Sequence, residues 1–177
     1  VLLPGGKYVM GAQVKWPAGI NYDPQALNSE GNNKGQPYRL LLDPFFLSKY
    51  EMTQAQWRRL ARGDTPSRTL GTTPGRVKTI TWSNPVELVS WTECDVLLRR
   101  HAMLLPTEAQ WEYSCRAGTD TPWSSGREPK SLQGHANLAD ATAQASGATW
   151  DIEPGIEDGH LVHAPVGSFL PNAFGLF

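Results

Sequence analysis

The order of apolar and polar residues divides the chain into extended segments, capped helices and long stretches with no period. Residues 1 to 12 alternate around Gly5-Gly6, which predicts a short strand running into a tight turn. Residues 38 to 50 set Leu40, Leu41, Leu42, Phe45, Phe46 and Leu47 around Pro44. They read as an extended, buried segment that delivers the chain to a first helix.

Three helix starts follow, each written in the same local code. Thr53-Gln54-Ala55-Gln56 precedes Trp57 and Leu60 and ends near Gly63, and Ser90-Trp91-Thr92-Glu93 opens a segment running to about Arg100. The third lies in the run from Leu105 to Gly118, where Pro106 biases Leu105 toward an extended backbone and Thr107 is followed by Gln110. A Ser or Thr with Gln or Glu three residues later is a capping box: the hydroxyl accepts an amide of the first turn, and the longer side chain returns to the cap's own N–H. In the third helix Ala109 and Tyr113 share one face and Trp111 and Cys115 another. The reading is a short, mostly interior helix with Trp111 buried, closed by a left-handed Gly118.

Residues 13 to 37, with Pro17, Gly19, Asn21, Asp23, Asn28, Gly31 and Gly35, read as loop. Gly63 to Asn84, carrying Arg68, Arg76 and Lys78, reads as a solvated insertion. Beyond Gly118, Pro, Gly, Ser, Asp and Asn recur through Gly159, predicting long loops. Fixing such loops costs about 1 to 2 kcal/mol of backbone entropy per residue, so packing, a metal or a partner must hold them.

Length and composition bound the reading. With 177 residues, 40% hydrophobic content and seven Trp, the chain has material for one sizeable core and a single domain. A net charge of −1 from 16 basic and 17 acidic residues leaves no electrostatic footprint for nucleic acid or an anionic membrane. No apolar run approaches the roughly 20 residues of a membrane span. The first residues are too short for a signal h-region and lack an initiator Met. The expectation is a soluble chain excised from something longer, cytoplasmic rather than secreted, of unspecified oligomeric state. Cys94 and Cys115 both fall on predicted helices and read as small apolar residues, with a disulfide between them as the alternative.

Candidate chemistry is sparse. There is no Gly-rich phosphate loop, Ser/His/Asp order or nucleophile elbow, so hydrolase and nucleotide-binding readings have no support. Glu108 and Glu112, at i and i+4, read as partners of backbone amides or of Arg116 rather than as an acid/base pair, and Glu51 as an anchor at the start of the first helix. His135, His160 and His163 form a weak nitrogen set for zinc or iron, without ligand spacing. Asn137 and Asp158, from composition alone, read as Asx residues bonding to nearby backbone.

The runs "PFFLSKYEMTQAQW", "NPVELVSWTECDVLL", "LPTEAQWEYSCRAGTDTPWSSG" and "HAPVGSFLPNAFGLF", with the opening "LLPGGKYVMGA", are similar in order and spacing to the formylglycine-generating enzyme family, also called sulfatase-modifying factor domains. The resemblance covers nearly the whole chain. One departure is Leu104, where the family usually has an Arg before Leu-Pro-Thr-Glu.

The resemblance implies an α+β, C-type-lectin-like fold with few short helices and strands and much irregular structure, as one domain over residues 1–177. It implies a calcium site in which Asn137 and Asp158 give side-chain oxygens and Leu138 and His160 give main-chain carbonyls. Such hard ligands from loops suit calcium. It further implies oxidation of a cysteine in a Cys-x-Pro-x-Arg segment of unfolded sulfatases to formylglycine, by dioxygen and a copper ion on two thiolates. Those thiolates belong to a block expected beyond Phe177, next to a Gly-Asn-Val-Trp-Glu-Trp-like stretch, so the chain reads as an N-terminal portion not expected to bind copper. Cys115 matches a position where the family carries Ala as often as Cys. Two alternatives stay open: a non-catalytic, lectin-like binding module, and the domain of an iron-dependent sulfoxide synthase.

Overall fold

A computed structural model describes residues 1–26, 37–67 and 80–177. Arg68, Arg76 and Lys78, and the loop positions Asn28 to Gly35, lie outside the described residues. The architecture is α+β with short elements: β1 Leu2–Leu3, β2 Gly6–Met10, β3 Tyr38–Leu42, β4 Phe45–Phe46, α1 Gln54–Leu60, α2 Trp91–Arg99, α3 Glu108–Arg116, a 3-10 turn Pro129–Leu132 and α4 Ala141–Ala145. No helix among the described residues is long and apolar enough to cross a membrane.

The chain forms two compact units, each discontinuous in sequence. The first comprises Val1–Lys49, Pro106–Leu132 and Pro171–Leu176. It holds two antiparallel pairs, β1 with β4 (Leu2 opposite Phe46, Leu3 opposite Phe45) and β2 with β3 (Gly6 opposite Leu42, through to Met10 opposite Tyr38). Gly5, at φ +67, makes the corner between β1 and β2, and a Cβ there would stand 2.4 Å from the Leu42 carbonyl oxygen, so only glycine fits. Leu3, Tyr113 and Leu176 centre the core, with Tyr8, Leu42, Phe45, Leu47 and Phe174 packed against them.

Helix α3 docks on this core through Tyr113, whose hydroxyl donates to the Gly5 carbonyl at 2.6 Å. Glu112 accepts the Gly11 N–H at 2.8 Å and the Arg116 Nε–H at 2.7 Å, and Arg116 reaches on to the Gly11 and Thr121 carbonyls. The Glu112 part of the structural expectation therefore holds, whereas Glu108 is exposed.

Two expectations fail in this unit. Trp111 is 60% exposed, although α3 lies where its signals put it: the helix buries only Tyr113 and Ser114, leaving Trp111 and Cys115 outside. Gly118 is left-handed as expected, at φ 91, and the left-handed turn already begins at the C-cap Ala117, at φ 47. The apolar segment is extended as expected but not uniformly buried, since alternate strand residues face opposite ways and leave Leu41 68% and Phe46 81% exposed.

The second unit comprises Tyr50–Leu105, Gln133–Leu170 and Phe177. It carries α1 and α2, whose capping boxes Thr53/Gln56 and Ser90/Glu93 are both closed, as is Thr107/Gln110 in the first unit. Among the described residues, Trp57, Ile80, Leu97, Ala143, Ile156 and Ala164 are its buried apolar side chains. The start of α1 is closed by Thr53 and Gln56, with no hydrogen bond from Glu51 among the described residues; Glu51 is exposed and lines a cavity of about 340 Å³ together with His135, Asn137, His163 and Phe169.

Candidate cation site

Within the second unit, two irregular segments some twenty residues apart are joined by side chains, beside an isolated main-chain bridge between Asp140 and Glu153. Asn137 Nδ2 donates to Asp158 Oδ2 at 2.7 Å and also to the Val162 carbonyl at 3.0 Å. The Leu138 N–H donates to the same Asp158 oxygen at 2.8 Å, and Asp158 Oδ1 accepts the His160 N–H at 2.7 Å, an Asx turn. The sequence-derived set Asn137, Leu138, Asp158 and His160 is thus brought together.

Asp158 makes the local turn bond that composition suggests, to the His160 N–H, whereas Asn137, among the described residues, bonds only across to Asp158 and the Val162 carbonyl. Three N–H donors converge on one half-buried carboxylate, offsetting its charge. Calcium takes about six to eight oxygen ligands in flexible geometry. Asp158 offers two oxygens, the Leu138 carbonyl accepts no hydrogen bond among the described residues, and rotation of the Asn137 amide would turn its oxygen toward Asp158. In chemistry, the donor set fits a hard cation.

The nitrogen-ligand alternative finds no such grouping. No cluster of three His, Cys, Asp or Glu able to hold a metal occurs among the described residues. The His160 ring packs edge-on to Phe169, centroids 6.2 Å apart. His163 Nδ1 meets Asn84 Nδ2 at 3.1 Å, and the same amide nitrogen donates to the His163 carbonyl at 2.9 Å. Asn84 is itself buried, its Oδ1 taken by the Thr81 N–H at 2.8 Å. Burial holds the His163 imidazole below its ordinary pKa, with Glu87 opposing the shift. His163 is therefore a neutral buttress.

Sequence reading missed Gln133, Asn84 and Asp140. Asp140 caps α4, accepting the Thr142 and Ala143 N–H groups, and an Asp before Ala-Thr-Ala was the available signal. Gln133 and Asn84 had none, since their partners lie 24 and 79 residues away.

Cys94 and Cys115 are both free thiols, on α2 and α3. Burial, and then the charge of Glu93, pushes the Cys94 thiol up. That is opposite to what a thiolate ligand needs.

An α+β chain with capped short helices and loops clamped by Asn and Asp defines a class of irregular, loop-built domains, and comparison with known proteins names the family. A model of the sulfatase-modifying factor enzyme 1-like domain matches residues 1–177, and the chain belongs to that family. It is 37% identical over 98 residues to the formylglycine-generating enzyme of Mus musculus, covering 54% of this chain and 24% of that protein. It is 36% identical over 97 residues to the enzyme of that name from Bos taurus, covering 53% and 24%. Against that of Thermomonospora curvata it is 32% identical over 107 residues, covering 59% and 33%. The chain spans about a quarter to a third of the length of these relatives.

Proposed function

We propose that the parent protein acts as a formylglycine-generating enzyme, carrying out a two-electron oxidation of a cysteine in an unfolded sulfatase polypeptide in which the Cβ–S bond gives way to a C=O, the sulfur leaves as sulfide and dioxygen takes up the two electrons. The observation that carries this reading is the family match over residues 1–177, in agreement with three relatives of that name. The same match supports one C-type-lectin-like domain along the chain.

In this reading the chain provides framework, not redox chemistry. Copper on two thiolates would supply the oxygen chemistry, but the two cysteines present do not fit it: both thiols are pushed up, which disfavours the thiolate form. Neither is assigned a step.

A structural calcium ion belongs to the same reading, held by the side chains of Asn137 and Asp158 and the carbonyls of Leu138 and His160. The 2.7 Å contact between Asn137 and Asp158 supports it, because it brings two loops with hard oxygen donors to one point. When bound, the ion would brace loops that have little regular structure.

Two measurements test the proposal. The full-length protein, incubated with copper and a Cys-x-Pro-x-Arg peptide under air, should convert the thiol to an aldehyde that a hydrazide traps; an intact peptide thiol overturns the activity. Chelation should lower Tm, and Asp158→Asn should be indifferent to calcium, because a ligand bound only to the native state must stabilise it. A Tm unmoved by chelator removes the calcium site.

A further inference from the structure

The loop that carries Asp158 is fixed by side chains from outside it. Gln133 brackets Glu157, donating Nε2 to its carbonyl at 2.8 Å and accepting its N–H at 3.0 Å. Thr142 Oγ1 accepts the Gly159 N–H at 3.2 Å. Between them, Asp140 Oδ2 accepts the N–H of Asp158 itself.

Asp140 differs from the other two in being wholly enclosed, with 0% of its surface exposed. Its Oδ1 accepts the Thr142 and Ala143 N–H groups at 2.9 and 3.2 Å, which ties it to the start of α4. On either side the main chain is knitted too: Glu153 N–H donates to the Ala139 carbonyl at 2.8 Å and Ala141 N–H to the Ile156 carbonyl at 3.2 Å. Both oxygens of Asp140 thus face backbone amides, so it is not itself a ligand. Moving it would strand buried N–H groups.

We propose that Asp140 is the positioning residue of the Asn137–Asp158 cation site. By holding the Asp158 N–H it fixes where the Asp158 carboxylate and the His160 carbonyl stand opposite Leu138, so the ordering of the loop is met in folding rather than at ion capture. Outer partners of metal ligands act this way, and their loss typically weakens metal affinity by about 10- to 100-fold. The inference rests on the calcium reading above.

The test is a calorimetric calcium titration and amide hydrogen exchange on the wild type, Asp140→Asn, Thr142→Val and Asp158→Asn. Asp158→Asn should abolish binding, Asp140→Asn should weaken it by about 10-fold or more, and in chelator the amides of Asp158 and Gly159 should exchange faster in Asp140→Asn. Thr142→Val, which leaves Asp140 in place and loses one loop bond, should shift affinity in the same direction by less, and it decides the matter if Asp140→Asn does not fold. A purely structural role would lower Tm yet leave the affinity of the folded protein unchanged, and that result overturns the proposal. Absence of calcium binding by the wild type overturns the calcium reading instead. The exchange rates in chelator then still judge the loop-fixing role: unchanged protection in Asp140→Asn ends it.

Discussion

Tyr8 and Tyr113 meet edge to face, ring centroids 5.3 Å apart at 67°, and each hydroxyl donates to the main chain of the other's neighbourhood. Tyr8 reaches the Ala109 carbonyl at 2.7 Å, and Tyr113 reaches Gly5 at 2.6 Å. The pair locks α3 onto the β1–β2 corner. Tyr113→Phe removes one partly buried hydrogen bond and should cost about 1 kcal/mol. Tyr113→Ala also empties the core and should cost about 3 to 5 kcal/mol. Urea unfolding measures both, and equal losses in the two variants would contradict the docking role.

The same pair makes the first unit sensitive to alkali. Burial, then the charge of Glu112, pushes the Tyr8 phenol up to about 12, against roughly 10 in an unfolded chain. The folded state holds its proton longer, so this stabilisation is intact below about pH 10 and is lost as pH rises toward about 12. Tm measured across that window should fall less steeply in Tyr8→Phe; parallel curves would refute the assignment.

At the acid end the sign reverses. His163 is held neutral, below its ordinary pKa, so the unfolded chain binds the proton first. Stability should be full above about pH 6.5 and decline as pH falls below it. His163→Gln should flatten that part of the Tm profile. A wild-type profile already flat between about pH 7 and 5 would show that the imidazole is not enclosed.

The tryptophans separate surface from core. Trp111→Ala should stay within about 0.5 kcal/mol of the parent, because the ring is largely in solvent. Trp57→Ala, at a buried position on α1, should cost about 3 to 5 kcal/mol. Thermal or urea unfolding compares them directly, and a large loss at Trp111 would mean its face of α3 is covered.

Helix starts were legible because a capping box is local: Thr53 with Gln56, Ser90 with Glu93 and Thr107 with Gln110 each act across three residues. The buried face of α3 was not legible, since a nine-residue helix with bulk on both sides has no intrinsic inside, and Tyr113 is chosen by strands about a hundred residues away. The pairing of Leu2 with Phe46 likewise depends on a partner far along the chain. At the site, Asn137 and Asp158 were found through family resemblance, while Asp140 and Gln133 act on main-chain groups and leave no pattern of residue types.

The repeated capping boxes also bear on how this chain reaches its shape. Helices of seven to nine residues fall short of the roughly 12 to 15 at which an isolated peptide becomes marginally helical. In the denatured ensemble these segments should flicker as frayed first turns whose starting register is already correct. What long-range docking adds is persistence, so an error in assembly would alter which helices survive and not where they begin.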